Sequence, residues 1–296
     1  FRATLCQRCG LDHIARDAAV QQSRLVATGI RGHSLGMTTP LRLMVFTDLD
    51  GTLIDHDTYT WDAAQEALEA LARVKGAVVL ASSKTAAEMA GLRAAMGLEG
   101  WPAIVENGAG VLPPGVQTGA DATHYHALRA VLDTVPAELR VQFTGFGDVT
   151  AEQVARMTGL PIADAGLARQ RAFSEPGQWT GTDAQQRAFE AHLKDYDVIA
   201  QQGGRFLTLS FGGNKAIRMG EIVATYQPHH TIALGDAPND ILMLELAEHA
   251  VIVANPHREP LPPLTREAEG RVIRTTVAGP AGWNAAILEL LQRLDL

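Results

Sequence analysis

Two carboxylates spaced i, i+2 close an apolar run in Leu41-Arg42-Leu43-Met44-Val45-Phe46-Thr47-Asp48-Leu49-Asp50-Gly51-Thr52-Leu53. The run carries β-branched and aromatic residues and reads as a buried strand. Side chains alternate along a strand, so a chain extended through this point puts Asp48 and Asp50 on one side. Such a pair at a strand's carboxyl end can hold a hard cation and offer a nucleophile beside a proton carrier. The plainer reading is an acidic turn, since Asp and Gly both favour turns.

Further groups capable of chemistry are Ser82-Ser83-Lys84, Glu106-Asn107-Gly108, Lys215 after Gly212-Gly213-Asn214, and Gly235-Asp236-Ala237-Pro238-Asn239-Asp240. Together they meet the needs of phosphoryl transfer through an aspartyl-phosphate. One carboxylate attacks phosphorus and another protonates the leaving oxygen. Mg2+ gathered by several acids offsets the repulsion between anions. A hydroxyl and an ammonium hold the non-bridging oxygens.

The elements that must position these groups follow a regular alternation. After the first strand, Thr60 can cap a helix with Ala64, Leu68, Leu71 and Val74 inward, closed by Gly76. Ala77–Ala81 reads as a buried strand ending on Ser82. A second helix follows, with Met89, Leu92 and Met96 inward, and Pro102–Val105 forms a short strand ending on Glu106. Strands alternating with helices at this spacing predict a parallel sheet, whose sites form at the strands' carboxyl ends. Asp48, Ser82 and Glu106-Asn107 share that position.

The pattern changes near Val111-Leu112-Pro113-Pro114. Residues 113–210 read as an inserted α+β domain, with capping boxes at Thr150–Gln153 and Thr182–Gln185. Val198–Ala200 and Arg205–Leu209 flank Gln201-Gln202-Gly203-Gly204 as a hairpin. Alternation resumes with a helix over 215–226, a strand over 231–234, a short helix with Ile241, Leu244 and Leu246, strands at 251–253 and 272–273, and a closing helix to Leu294. The sheet domain therefore comprises residues 40–112 and 211–296. Residues 1–39 show neither periodicity nor alternation and read as a poorly ordered extension, with Met37 a candidate start. Cys6 and Cys9, the chain's 2 cysteines, could form half of a zinc site with His13 and His33, or a redox pair. A second Cys pair is missing, and the His spacing fits no standard finger.

At 296 residues, with 46% hydrophobic and 20% charged residues, the chain has a globular composition and can bury a sizeable core. A net charge of −8 disfavours nucleic acid and anionic membranes as partners. No run approaches a transmembrane length, so the reading is a soluble, cytoplasmic protein. Oligomeric state is not legible. Lys84 and Lys215 both stand beside motif residues.

The set Asp48-Leu-Asp50-Gly-Thr-Leu, Ser82, Lys215 and Gly235-Asp236-Ala-Pro-Asn239-Asp240 resembles the four motifs of the haloacid dehalogenase (HAD) superfamily. Their order and spacing are similar to its Cof-type subgroup, which carries a large cap between the second and third motifs. The resemblance covers residues 41 to about 290. It implies a Rossmann-like, doubly wound α/β core with an inserted α+β cap that sets substrate choice. A closer resemblance is to the mannosyl-3-phosphoglycerate phosphatase family. It is carried by Ser82-Ser-Lys84-Thr85, Val105-Glu106-Asn107-Gly108, Gly145-Phe-Gly147-Asp148-Val-Thr150 through Gly159, Arg171-Ala-Phe-Ser-Glu175, Gly203-Gly-Arg205-Phe206 and Gly279-Pro-Ala-Gly282-Trp283.

That resemblance implies release of phosphate from mannosyl- or glucosyl-3-phosphoglycerate, giving a compatible solute. It makes Asp48 the nucleophile and Asp50 the general acid, then base. Mg2+ would be held by Asp48, the Asp50 carbonyl and Asp236, with Asp240 orienting them. Ser82 and Lys215 would hold the phosphate, with Gly51 and Thr52 supplying backbone donors. Asn239 would start its helix and stand beside the substrate. Ser83, Lys84, Asn107, Arg171 and Glu175 complete the expected substrate contacts, Arg171 for a carboxylate and Glu175 for a sugar hydroxyl. Ser at 82, where Thr is common, keeps the hydroxyl, and Asn214 stands where some relatives carry Asp.

Plainer roles exist for many of these residues. Ser82 can cap a helix, Lys84 and Lys215 can be surface charges, and Glu106-Asn107 or Asp148 can turn the chain. A general sugar-phosphate phosphatase would share the motifs, and so would a phosphomutase, whose intermediate is the same and whose acceptor alone differs. A non-catalytic binding protein of this fold would be expected to lack Asp48, Asp50 or Asp236. A dehalogenase would not need Asp50, and a P-type ATPase would need membrane helices.

Overall fold

The computed structural model describes residues 40–117 and 119–296. The readings made for residues 1–39, including Cys6, Cys9, His13, His33 and Met37, lie outside the described residues. The chain divides into two compact units. One holds the described residues up to 84, residues 91–115 and residues 214–296; the other holds residues 85–90 and 116–213.

Among the described residues the chain opens with β1 (Leu43–Thr47), α1 (Gln65–Arg73), β2 (Ala77–Ala81), α2 (Ala86–Ala95, divided between the units after Ala90), β3 (Ala103–Val105) and β4 (Gly110–Leu112). The other unit supplies α3 (Thr123–Leu132), α4 (Ala137–Arg140), β5 (Phe143–Gly145), α5 (Ala151–Thr158), α6 (Ile162–Ala168), β6 (Ser174–Trp179), α7 (Asp183–Lys194), β7 (Ile199–Gly203) and β8 (Phe206–Ser210). The chain returns with α8 (Lys215–Tyr226), β9 (His230–Gly235), α9 (Ile241–Leu246), β10 (His249–Ala254), β11 (Val272–Ala278) and α10 (Gly279–Arg293).

The first unit is a seven-stranded sheet in the order β11-β10-β9-β1-β2-β3-β4. Neighbours are parallel, except that β4 runs antiparallel to β3. This is the expected doubly wound α/β core. β1 and β2 are buried throughout, as strands covered on both faces must be. Met44 and Phe46 of β1 share one core with Met219 and Ile222 of α8 and Met243 and Leu244 of α9. Thr47, one residue out of phase, meets Trp283 of α10, whose indole N–H donates to its hydroxyl at 3.0 Å. Leu43, Val45 and Ile287 are buried as well, and Asn284 of α10 accepts the Ala67 N–H of α1 at 2.8 Å.

Successive strands leave β1 in both directions, through β2 and β3 on one side and through β9 and β10 on the other. That reversal is a topological switch point, where the connections leaving adjacent strand ends diverge and open a crevice.

The second unit is an antiparallel sheet, β5-β6-β8-β7. Leu207 and Leu209 of β8 and Phe143 of β5 pack with Leu128 and Leu132 of α3 and Phe189 and Leu193 of α7. Thr150 and Thr182 cap α5 and α7, each in a reciprocal capping box with Gln153 and Gln185.

Several boundaries differ from the sequence expectation. Thr60 caps no helix: its carbonyl accepts Asp55 N–H, and α1 is entered through a 3-10 turn at Asp62–Ala64. Lys75, not Gly76, takes the left-handed conformation after α1, at φ 56°. Val111-Leu112, placed at the end of the sheet domain but not read as a strand, form with Gly110 its antiparallel edge strand. The hairpin strands run on through Gln201–Gly203, so the turn is the pair Gly204-Arg205 between the partners Gly203 and Phe206. β11 is longer than the two residues expected, because its outer half carries no clear apolar run. Among the described residues no helix is long and apolar enough to cross a membrane.

Candidate active site

The carboxyl ends of the core strands carry the expected chemistry. Asp48 follows β1 and its N–H donates to Leu234 of β9 at 2.9 Å, which locks the two strand ends together. Ser82 follows β2 and donates its N–H to Ile104 of β3. Asp236 follows β9, and Lys215 is the first residue of α8, whose N-cap Asn214 accepts the Ile217 N–H at 2.9 Å.

Side chains converge at the switch point. Lys215 Nζ stands 2.6 Å from Asp48 Oδ1 and 2.7 Å from Asp240 Oδ1. Asp240 Oδ2 accepts the N–H groups of Asp236 and Ala237, so both of its oxygens are committed. Thr52 donates to Asp236 Oδ1 at 2.9 Å and Asn255 donates to Asp236 Oδ2 at 2.7 Å. Arg258 reaches the same Oδ2 from the solvent side at 3.4 Å. Among the described residues, Asp48 Oδ2 receives no hydrogen bond.

Oxygens of Asp48, Asp236 and Asp240 lie within 4.8 Å of one another, and all three residues are buried. One buried ammonium, paired with Asp48 and Asp240, and the half-exposed Arg258 beside Asp236 stand against three carboxylates, so the ionised cluster keeps an excess of negative charge. Burial pushes the Asp48 carboxyl up to about 8, with Asp240 and Asp236 adding to the rise and Lys215 opposing it. Burial works against the Lys215 charge, but Asp48 and Asp240 more than offset it and hold the amine protonated. A hard dication with oxygen ligands would cancel the excess, so the donor set fits Mg2+. Asp48 and Asp236 would be its ligands, and Asp240, already committed to Lys215 and two amides, would hold them in place.

Asp50 diverges from this cluster. Its carboxylate turns outward, more exposed than that of Asp48, and pairs with Lys84 Nζ at 3.0 Å. The fully extended pairing on one side is therefore lost: the chain turns after Asp48, and Gly51 completes the turn at φ +85°. A Cβ at Gly51 would lie 2.6 Å from Asn255 Nδ2, so the position requires glycine for space as well as conformation.

The remaining expected residues fall into two groups. Ser82 is buried and its hydroxyl accepts the Lys84 N–H at 3.3 Å, a turn-capping role that leaves its proton available. Ser83, exposed, follows it. Asn107 accepts from Asn239 Nδ2 at 3.1 Å, so these two predicted contacts meet each other. Asn239 sits in the 3-10 turn that precedes α9. Glu106, Asn107 and Gly108 occupy three successive left-handed positions, at φ 52°, 58° and 89°. This brings Gly108 so close to the start of α8 that a Cβ would lie 2.1 Å from the Asn214 carbonyl carbon. The stretch thus seats Lys215.

Arg171 and Glu175 lie in the inserted unit and are both buried. Arg171 donates to the Ser174 hydroxyl at 2.7 Å. Glu175 accepts the Gly147 N–H at 2.8 Å and pairs with Arg129 at 3.4 Å, while its Oε2 has no hydrogen-bond partner. Asp148 is bound by Arg129, Arg140 and the Gly145 N–H. The Gly145-Phe-Gly147-Asp148 stretch and Glu175 are therefore one structural cluster.

Sequence reading missed Asn255, although it stands at the carboxyl end of β10, the position that singled out Ser82. It also missed Tyr59, whose ring centroid is 5.1 Å from Lys84 Nζ. Thr47 carried no signal: its hydroxyl accepts from Trp283 and donates to the Asp48 carbonyl at 2.7 Å, steadying the backbone of the candidate nucleophile.

A family model described as haloacid dehalogenase-like hydrolase matches residues 45–131 and 180–261, more than half of the chain. The protein belongs to the haloacid dehalogenase-like hydrolases. Its fold is shared with solved structures of low identity. A hypothetical protein from Geobacillus kaustophilus is 18% identical, with a TM-score of 0.59 over 85% of this chain and 99% of that one. A HAD-superfamily phosphatase from Bacteroides thetaiotaomicron is 16% identical, with a TM-score of 0.56 over 90% and 99%. The sucrose-phosphatase of Synechocystis, solved with sucrose and phosphate, is 18% identical, with a TM-score of 0.53 over 86% and 98%.

Proposed function

We propose that the protein is a Mg2+-dependent phosphatase that passes the phosphoryl group through Asp48, acting on a glycosyl-3-phosphoglycerate. The observation that carries the phosphatase reading is the buried arrangement of Lys215 between Asp48 and Asp240 beside Asp236, with Asp50 two residues on and turned outward. Bound Mg2+ would neutralise the substrate's phosphate against the carboxylates.

Asp48 Oδ2 attacks phosphorus while Oδ1 stays on Lys215. The P–O bond to the leaving group breaks, and protonated Asp50 gives its proton to the departing alkoxide. Asp50, now a carboxylate, takes a proton from the water that attacks the aspartyl-phosphate. Phosphate leaves and Asp48 is regenerated. Ser82 and Lys215 are the residues suited to hold the phosphate oxygens.

The substrate class rests on the stretches of the inserted unit that resemble mannosyl-3-phosphoglycerate phosphatases. Supporting it, Gly145, Gly147, Asp148 and Glu175 form one mutually dependent cluster in the inserted unit. The likeness to sucrose-phosphatase favours, as a second reading, a broader sugar-phosphate phosphatase. A phosphomutase would use the same intermediate with another acceptor.

The test is phosphate release by the purified protein with Mg2+, over phosphorylated sugars, sugar acids and nucleotides. Glycosyl-3-phosphoglycerates should give the highest kcat/KM. Equal rates on simple sugar phosphates would leave the phosphatase and remove the substrate class. Activity surviving in Asp48→Asn would remove the aspartyl-phosphate.

A further inference from the structure

Asp50 has to do two opposite jobs under the reading above, and its side chain is tethered from outside the buried cluster. Lys84 Nζ lies 3.0 Å from Asp50 Oδ2, and the Lys84 side chain is only 12% exposed. This lysine is therefore no surface charge. Burial alone would favour neutral Lys84, but Asp50 together with the neighbouring Tyr59 phenol keeps it charged.

Tyr59 is the unusual partner. It is a bulky residue at φ 57°, where side chains other than Gly, Asn and Asp are rare. Outliers of this kind persist only where their surroundings enforce them. Asp55 does so here: its Oδ1 accepts the N–H groups of Asp57 and Thr58 and the Thr58 hydroxyl, and its backbone carbonyl accepts the Tyr59 N–H. Its own N–H donates to Thr60 O, closing the loop. The ring so presented is half exposed and gains no core burial that would account for the strain. What it gains is a place beside Lys84.

The other side of Lys84 is fixed by main chain. Its carbonyl accepts the Glu106 N–H at 2.9 Å, and its N–H donates to Ser82 Oγ. The lysine thus has a rigid root, an aromatic wall and one carboxylate at its tip.

We propose that Lys84 and Tyr59 form a clamp that holds Asp50 Oδ2, leaving the other carboxyl oxygen to carry the proton that passes to the leaving group and to take one back from the attacking water. Lys84 is a positioning residue: it acts through Asp50 and does not bind the phosphate. The proposal rests on Asp50 being the proton carrier, and it replaces the sequence expectation that Lys84 contacts substrate.

Leaving groups separate these roles. An alkyl phosphate needs a proton at its leaving oxygen, whereas p-nitrophenyl phosphate does not, and kcat/KM reports the step in which that bond breaks. In Lys84→Met, kcat/KM on a sugar phosphate should fall by about tenfold or more, a part of the roughly 10²–10⁴-fold that a general acid contributes. On p-nitrophenyl phosphate it should stay within about threefold. Lys84→Arg should restore part of the loss, and Tyr59→Gly, which relieves the backbone, should reproduce it in smaller measure. An equal fall on both substrates in Lys84→Met, carried by KM, would overturn the clamp and make Lys84 a substrate ligand. Asp50→Asn is the control. If it too shows no leaving-group dependence, Asp50 is not the proton carrier and the underlying reading fails. If Asp50→Asn shows the dependence and Lys84→Met does not, only the clamp fails. Circular dichroism and thermal melts of each variant exclude misfolding as the cause of lost rate.

Discussion

Lys215 is the residue on which the buried charges depend. It is almost fully buried and its two carboxylate partners are buried with it. Removing one member of such a set leaves an uncompensated charge in a medium that solvates it poorly. Lys215→Met should lower stability by about 3–5 kcal/mol, read from urea melts, as well as abolishing phosphate release. Added Mg2+ should recover part of that stability, since it supplies the missing positive charge. Asp236 offers the complementary test. Mg2+ at about a hundred times its Kd should stabilise the wild-type protein by about 2.7 kcal/mol. Asp236→Asn should lose most of that gain in a thermal-shift titration, which needs no substrate.

At the scale of elements, the site depends on a backbone approach that only glycine allows. Gly108→Ala would place a methyl carbon 2.1 Å from the Asn214 carbonyl carbon and force a left-handed alanine. The start of α8 must then move, and Lys215 with it. The expected outcome is a loss of about 1–3 kcal/mol in urea melts together with a larger fall in kcat than in KM. Asn214→Ala removes only the N-cap of the same helix and should cost about 1 kcal/mol. If Gly108→Ala is no worse than Asn214→Ala, the left-handed run at 106–108 is not what seats the lysine. Lys84 and Tyr59 belong to the same scale, because a strained loop and a strand end together present one cation to Asp50.

At the scale of the molecule, each unit has its own apolar core, one around the seven-stranded sheet and one between the antiparallel sheet and α3 and α7. The charged groups gathered around Asp48, Asp50 and Asp236 all come from the first. Replacing residues 116–213 with the matching segment of a sugar phosphatase should therefore change the order of substrates in a phosphate-release panel. Its Mg2+ requirement should be retained. A chimera that keeps the original substrate order would place specificity in the sheet unit.

Much of the core was legible because its signals are local. An apolar strand ending on acids, a glycine-rich lead into a lysine and capping boxes are all short-range patterns with one physical cause each. They gave β1, β2, α8, the caps of α5 and α7, and the class of chemistry. Misreadings came where the deciding partner is distant. Thr60 looked like a cap but yields to an Asp55-centred turn. β4 was not read as a strand because an edge strand of three residues carries too little pattern to distinguish it from a loop.

The sequence by itself determined that two acids, a hydroxyl and an acidic loop stand at the carboxyl ends of parallel strands and that a lysine opens a helix, since alternation and periodicity fix where each element begins and ends. Only the tertiary structure decided how they divide. Asp48 turns in to Lys215 while Asp50 turns out to Lys84, and Asn255 and Thr52 hold Asp236 from two sides. Those pairings join residues up to 184 positions apart in the chain. They follow from strand order and from where connections diverge at the switch point, which no local pattern encodes.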